Sequence, residues 1–98
     1  MKIFTLDQIQ SSINIARDLD ELISSQKAAF IDYSAGLYDV PLPMQFVFSK
    51  SGSDCHIKGG YRIGSKNFVI KIAGNSKFGN NGAILVFDVE SCELKAIL

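Results

Sequence analysis

The stretch from residue 55 to residue 75 constrains the fold more than any other part of this chain. It contains two segments of strand-like composition, at 55–58 and 68–73, joined by a region rich in glycine. In the second segment alternate residues belong to opposite faces, because successive side chains of a strand point in opposite directions. The pattern predicts two neighbouring strands joined by a tight turn, each with a lysine near its end, Lys58 and Lys71.

Two helices are predicted before this pair of strands. Thr5 and Gln8 have the spacing of a capping box, which predicts a short first helix. Asp18 is predicted to be the N-cap of a longer helix, which Gly36 ends in the left-handed conformation. The longer helix has one apolar stripe, formed by Leu19, Leu22, Ile23, Phe30 and Tyr33. Such a stripe predicts a helix that lies on a sheet.

The remaining strands indicate the fold class. They are predicted at residues 2–4, 44–48, 83–89 and 94–98, with a loop rich in glycine and asparagine at 74–82. Helices followed by short strands that are linked by turns are typical of the α+β class. We therefore expect one domain, residues 1–98, in which N-terminal helices pack on a mostly antiparallel sheet of four to six short strands.

Charge and cysteine content exclude several classes of function. The ten basic and ten acidic residues give no net charge and form no basic stripe, so we expect no nucleic-acid partner. No apolar run is long enough to cross a bilayer, and no secretory signal is recognisable at Met1. Cys55 and Cys92 are therefore expected to be reduced thiols in the cytoplasm. Together with one histidine they give no usual zinc spacing, so no metal site is expected.

The apolar content is high for a domain of this size. Apolar residues make up 47% of the 98 residues, and the mean hydropathy is +0.17. A small domain with this composition exposes apolar surface that another domain or a second copy usually covers. We therefore expect a homodimer or a covering domain.

The two lysines are the candidate site residues. A lysine on an apolar strand either keeps its ammonium in water along the sheet surface or meets a carboxylate in a site. The residues alone leave both possibilities open for Lys58 and Lys71, because the pairing register decides whether they share a face. Arg62 could add positive charge, although turn arginines are mostly solvent-facing. Cys55 and His56 are consecutive in a strand, so they are not expected to form a catalytic pair.

The same stretch resembles a known enzyme family. The sequences HIKGGY at 56–61 and NFVIKIA at 67–73 are similar to the N-terminal segment of the ornithine cyclodeaminase / mu-crystallin family. The resemblance extends from AFIDYSAG at 29–36 to KAIL at 95–98. It implies the substrate-binding and dimerisation domain of NAD(P)-dependent enzymes of amino- and imino-acid chemistry. In that family a Rossmann domain follows, and ornithine is converted to proline and ammonia.

The resemblance also implies roles for particular residues. Lys71 would be catalytic and substrate-binding, contacting the carboxylate of a small amino acid beside the reacting carbon. Lys58 matches a subgroup of the family that reads HIK before the glycine and tyrosine. Met44 or Gln45 stands where the family has an arginine that binds the carboxylate, so the anchor in this chain would differ.

The cofactor of the whole enzyme would be NAD or NADP, with no site for it inside these residues. The glycines at 74 and 79 have the spacing of a phosphate-binding loop, but they lead into a predicted strand rather than a helix. Without the nucleotide this chain is expected to be inactive on its own. Two alternatives stay open, a non-enzymatic module that dimerises or binds a small ligand, and an inactive remnant.

Overall fold

The computed structural model describes all of residues 1–98 and has the predicted α+β class, with two helices followed by a mostly antiparallel sheet. The helices are α1 (Leu6–Ser12) and α2 (Ile15–Ser34). The strands are β1 (Lys2–Ile3), β2 (Tyr38–Asp39), β3 (Met44–Phe48), β4 (Ser53–Arg62), β5 (Asn67–Ser76), β6 (Gly79–Asp88) and β7 (Leu94–Ile97). The seventh strand, beyond the predicted four to six, is the two-residue β2, which is too short to show an alternating pattern.

The starts of the helices follow local hydrogen bonding. The capping box of α1 is present: the Gln8 amide donates to Thr5 Oγ1, and the Thr5 amide donates to Gln8 Oε1 at 2.8 Å. The predicted N-cap of α2 is wrong. Asn14 caps the helix by accepting from the Arg17 amide at 3.0 Å, and Asp18 lies inside the first turn. Asp18 accepts from the Asn14 amide at 3.0 Å, so the two side chains together start the helix one turn earlier.

The end of α2 confirms the predicted glycine cap. Gly36 has a φ of 77°, in the left-handed region that glycine adopts without steric cost. Its amide donates to the Tyr33 carbonyl, and the Leu37 amide donates to the Asp32 carbonyl, each at 3.0 Å. These two bonds are those of a Schellman motif, which turns the chain out of the helix and into β2.

The sheet is built around the three long strands β4, β5 and β6. The strand order is β1-β7-β6-β5-β4-β2, and β3 also pairs with β4. All pairs are antiparallel except β1 with β7. The predicted loop at 74–82 is wrong, because β5 continues to Ser76 and β6 begins at Gly79, leaving a two-residue turn. Pairing along the whole hairpin satisfies the backbone groups of these glycines and asparagines, and this outweighs their preference for turns.

The register divides the sheet into two faces of different character. We call the side that carries Lys58 and Lys71 the lysine face. The opposite side, which we call the apolar face, includes Phe46, Ile57, Phe68, Ile70, Ile72, Leu85 and Phe87. On the apolar face the rings of the cross-strand partners Phe68 and Phe87 stack with centroids 5.0 Å apart. Neither helix combines the length and apolar composition that crossing a bilayer requires.

The chain leaves much apolar surface uncovered. No residue is fully buried, and the accessible surface is 7899 Å². A compact chain of 10.7 kDa exposes about 5500 Å², so roughly 2400 Å² more is in water here. The radius of gyration is 15.6 Å, against about 12.6 Å for a compact domain of this length. All five residues of the apolar stripe of α2 belong to this surface rather than being covered by the sheet as predicted, with Phe30 71% and Tyr33 59% exposed.

Candidate functional site

The pairing of β4 with β5 brings the two candidate lysines together. Lys58 is directly opposite Lys71 in the antiparallel register, so both side chains rise from the lysine face. With His56 and Ala73 they line a cavity of about 280 Å³. Sequence alone left this register open, and the structure places the lysines in a cross-strand pair.

The lysine pair lacks a counter-ion within the chain. The ion pairs of the protein join Arg17 to Asp18, Arg62 to Asp32 and Lys95 to Glu93, and His56 Nε2 lies 3.7 Å from Asp54 Oδ2. None includes Lys58 or Lys71, and both lysines are exposed. Like charges directly opposite each other on a sheet repel, which destabilises the pair. An anion held between the two ammonium groups would relieve this repulsion, so the pair suits a carboxylate ligand.

Strand β3, the other neighbour of β4, places Gln45 beside the lysine pair and Met44 on the opposite face. Gln45 is opposite His56, and its Nε2 lies 3.3 Å from His56 Nε2, on the lysine face. Met44 is opposite Ile57, which points to the apolar face. Of the two residues that stand in place of the family's arginine, only Gln45 therefore reaches the lysine face, and an amide there offers no positive charge.

Arg62 has a different role from the one considered in the sequence. Its Nε donates to Asp32 Oδ2 at 3.1 Å, which links the end of β4 to α2. The two side chains are 48% and 31% exposed, so the ion pair contributes little stability. Arg62 is thus engaged with the helix rather than with the lysine pair.

A row of polar residues on the same face was missed by the sequence analysis. Asp54 is opposite Asn75, and Asn75 is opposite Asn80, so one residue from each long strand forms a row across the sheet. We call these three residues the polar row. They border a second cavity of about 600 Å³, which also contacts His56 and Lys71. Alternation along β4 from Lys58 back to Asp54 is the signal that could have found it, but only once the strand pairing was known.

The residues between the lysine pair and the polar row are small. Ala73 lies between His56 and Gly82 in the middle row. A Cβ added at Gly82 would come within 2.6 Å of the Ile72 carbonyl oxygen, so this position requires glycine. The two cavities share His56, Lys71 and Ala73 and form one groove along the strands.

Asp54 is the least satisfied polar group of the groove. Its Oδ1 is buried and has no hydrogen-bond partner, and its Oδ2 lies 3.7 Å from His56 Nε2. That separation exceeds a hydrogen bond. A carboxylate oxygen that accepts no hydrogen bond in a partly desolvated site raises the free energy of the folded chain. Asp54 therefore suits a ligand that donates a hydrogen bond to it.

The glycine-rich segment does not fit a nucleotide phosphate. Its residues form the ends of β5 and β6 rather than a loop that opens a helix, so no helix N-terminus meets an anion there. No group of three metal-ligating side chains forms either. Cys55 and Cys92 are free thiols, and Cys55 points to the face opposite His56. The chemistry available on the lysine face is therefore binding through charge and hydrogen bonds.

Comparison with known proteins identifies no family for this chain. No protein-family model matches the chain, and no curated protein matches it. The resemblance to the ornithine cyclodeaminase family thus rests on the short motifs alone, and the site rests on its own geometry.

Proposed function

We propose that this chain binds the carboxylate of a small amino acid between Lys58 and Lys71. It would do so as the substrate-binding part of an NAD(P)-dependent enzyme of the ornithine cyclodeaminase type. The observation that carries the proposal is the direct pairing of two exposed lysines with no counter-ion in the chain. The motif resemblance supports it independently, because the same lysine at position 71 would contact the substrate carboxylate there.

In this proposal each residue acts by charge and position. The two ammonium groups donate to the two carboxylate oxygens, which are the strong, charge-assisted type of hydrogen bond. Lys71 sits one row from the small residues Ala73 and Gly82, so the α-carbon of the ligand would lie over an open part of the sheet. NAD or NADP, held by a domain other than these residues, would supply the hydride chemistry, and this chain would contribute the position of the carbon. This chain alone would bind the acid and turn nothing over.

Dimerisation belongs to the same proposal. The chain exposes roughly 2400 Å² more than a compact protein of its mass, and one side of a stable interface needs about 800 Å². We propose a homodimer in the cytoplasm whose interface covers α2 and the apolar face. The exposed surface equally favours a second candidate, a non-enzymatic module that dimerises or binds a small acid. The first candidate works together with a nucleotide-binding domain and takes part in turnover. The second binds its partner or ligand and catalyses nothing.

The proposal is tested by titrating the chain with L-ornithine, L-proline and acetate, following binding by calorimetry and melting temperature. Each acid that binds is expected to raise the melting temperature. Lys71→Ala and Lys58→Ala are each expected to weaken binding about tenfold to a hundredfold, the effect of losing one charge-assisted hydrogen bond.

The matched control is Lys66→Ala, which removes the same charge from the turn between the same two strands. It is expected to bind like the original chain, because Lys66 lies in the turn that joins β4 to β5, five residues along the chain from Lys71. Equal weakening in all three variants would show a general charge effect and reject the lysine-pair site. Absence of binding by every carboxylate would reject the proposal as a whole.

A further inference from the structure

The lysine pair has a third neighbour on the same face, and this neighbour can change its charge. His56 is two residues from Lys58 on β4, a separation of about 7 Å along a strand. It is also the diagonal cross-strand neighbour of Lys71, at about 7–8 Å. The three side chains line the cavity of about 280 Å³ together with Ala73. An anion in that cavity therefore lies among one imidazole and two ammonium groups.

We infer that His56 is the third cationic contact of the carboxylate site, so that the site binds its ligand more tightly when the imidazole is protonated. This inference rests on the proposed function, because it concerns the same ligand in the same cavity. It adds to that site a further residue that determines affinity and a dependence on pH. A protonated imidazole donates a charge-assisted hydrogen bond to a carboxylate, as the ammonium groups do.

The groups that face His56 leave its proton as the main charge change of the groove near neutral pH. β4 contributes Asp54 and Lys58, and β5 contributes Lys71. β3 contributes Gln45, which has no charge, and β6 contributes only uncharged residues to the groove. Imidazole is the side chain that ordinarily changes its charge between about pH 8 and pH 5, whereas ammonium and carboxylate groups keep theirs. The groove therefore gains one positive charge as the pH falls through this range.

Gln45 and Asp54 can accommodate the imidazole in both of its charge states. Gln45 Nε2 lies 3.3 Å from His56 Nε2, and an amide nitrogen only donates, so in the neutral imidazole Nε2 accepts and Nδ1 carries the proton. In the protonated imidazole Nε2 donates instead. Its possible acceptors are Gln45 Oε1, once the amide has turned over, and Asp54 Oδ2, which is 3.7 Å away and must come slightly closer. Protonation therefore does not leave Nε2 without a partner.

The first test is calorimetry of L-proline binding at about pH 8 and about pH 5.5, with the same buffer ions and ionic strength. L-proline is the ligand because its carboxylate and its amine keep their charges at both pH values. Its affinity is expected to rise about threefold to tenfold toward acid pH, the effect of one added charge about 7 Å away in a half-exposed site. The gain is expected to shrink in about 1 M salt, which screens charges at this distance.

The second test observes the proton on His56 directly. His56 is the only histidine of the 98 residues, so the ring protons of the untagged chain report its charge state in the NMR spectrum. If L-proline binds the protonated state more tightly, bound L-proline must in turn favour protonation by the same factor. Saturating L-proline is therefore expected to move the midpoint of the imidazole titration up by about 0.5 to 1 on the pH scale. A histidine with only a structural role would show no such movement.

Variants of His56 separate its charge from its shape. His56→Gln has no charge at either pH, so its affinity for L-proline is expected to differ by less than about twofold between the two pH values. His56→Lys has its charge at both pH values and is expected to bind at about pH 8 nearly as tightly as the original chain does at about pH 5.5. Lys66→Ala, in the turn between β4 and β5, is the control and is expected to keep the rise. Melting temperatures at both pH values check that each variant is folded.

The outcomes distinguish this inference from the proposed function. If L-proline binds through Lys71 with the same affinity at both pH values, the role of His56 is overturned and the carboxylate site stands. A rise that persists in His56→Gln also overturns it, because another group, such as Asp54, would then be the one that titrates. If no carboxylate binds at either pH, the proposed function fails and the role of His56 fails with it.

Discussion

At the scale of single residues, the turn between β6 and β7 holds one residue in a conformation that its side chain disfavours. Asp88 organises this turn, since its Oδ1 accepts from the amides of Glu90 and Ser91 at 2.9 and 3.0 Å. These bonds hold the pKa of Asp88 below its ordinary value of 3.8. Cys92 follows with a φ of 56°, the one non-glycine residue in the left-handed region.

Cys92→Gly is therefore expected to stabilise the chain. A left-handed residue with a Cβ costs about 1–2 kcal/mol, and the greater freedom of glycine in the unfolded chain offsets part of the gain. We expect a net increase of about 0.5 kcal/mol in the free energy of unfolding, measured by urea denaturation. The control Cys92→Ala keeps the Cβ and removes the thiol, so it is expected to give no gain. An equal gain in both variants would assign the effect to the thiol instead.

Two glycines on neighbouring strands give a second residue-scale prediction. At Gly82 a new Cβ would meet the Ile72 carbonyl oxygen at 2.6 Å, whereas at Gly74 the nearest atoms are 3.7 and 3.8 Å away. Gly82→Ala is expected to reduce the free energy of unfolding by about 1–3 kcal/mol, because backbone must move to admit the methyl group. Gly74→Ala is the matched control, expected within about 1 kcal/mol of the original chain. Similar losses at both sites would contradict the close approach at Gly82.

At the scale of secondary structure, the start of α2 depends on a charged network. Arg17 Nε donates to Asp18 Oδ1 at 2.7 Å, and the Asn14 amide donates to Oδ2 at 3.0 Å. The Arg17 guanidinium, followed by the Asn14 amide, holds the pKa of the Asp18 carboxyl below its ordinary value of 3.8. A carboxylate in the first turn also favours the positive end of the helix dipole.

The stability that Asp18 contributes is expected to depend on pH in one direction. Because its pKa is lower in the folded chain than in the unfolded chain, the contribution is fully present above about pH 5 and is lost as the pH falls through the folded value. The measurement is the urea midpoint from pH 7 to pH 3, comparing the original chain with Asp18→Asn. The difference between them is expected to shrink toward acid pH. Asp20→Asn, which removes a carboxylate that makes no hydrogen bond, is the control. A difference that is constant with pH would contradict this role of Asp18.

Two features made by local bonding were predictable from sequence, a third, the N-cap of α2, was predicted one turn too late, and features that depend on strand pairing were not predictable. The capping box at Thr5 and the glycine cap at Gly36 are made within a few residues, and both predictions are confirmed. The loop at 74–82 was wrong because cross-strand hydrogen bonds override local turn preference. The candidate site shows the same division. Lysine positions were visible in the sequence, but their shared face, the exclusion of Met44 and the polar row all follow from register.

At the scale of the whole molecule, the strands pair into one continuous sheet, but no apolar side chain is fully buried. The central strands satisfy their backbone hydrogen bonds, yet both α2 and β3 present apolar side chains to water, with Phe30 71%, Phe46 47% and Phe48 49% exposed. Exposed apolar surface of this extent is characteristic of an interface. With no net charge, two copies of the chain do not repel each other over long distances.

The chain is therefore expected to sediment as a dimer, with twice the 10.7 kDa mass of one copy. Phe30→Glu places a charge in the apolar stripe of α2 and is expected to weaken the dimer at least about tenfold, because that charge would have to be desolvated in the interface. Since Phe30 is already 71% exposed in a single copy, the variant should keep its helix content by circular dichroism. Ser24→Glu adds the same charge to the polar side of α2 and is expected to dimerise normally. If the chain has the mass of one copy at every soluble concentration, something other than a second copy covers this surface. If both variants lose the dimer, the added charge, and not its position in the stripe, determines dimerisation.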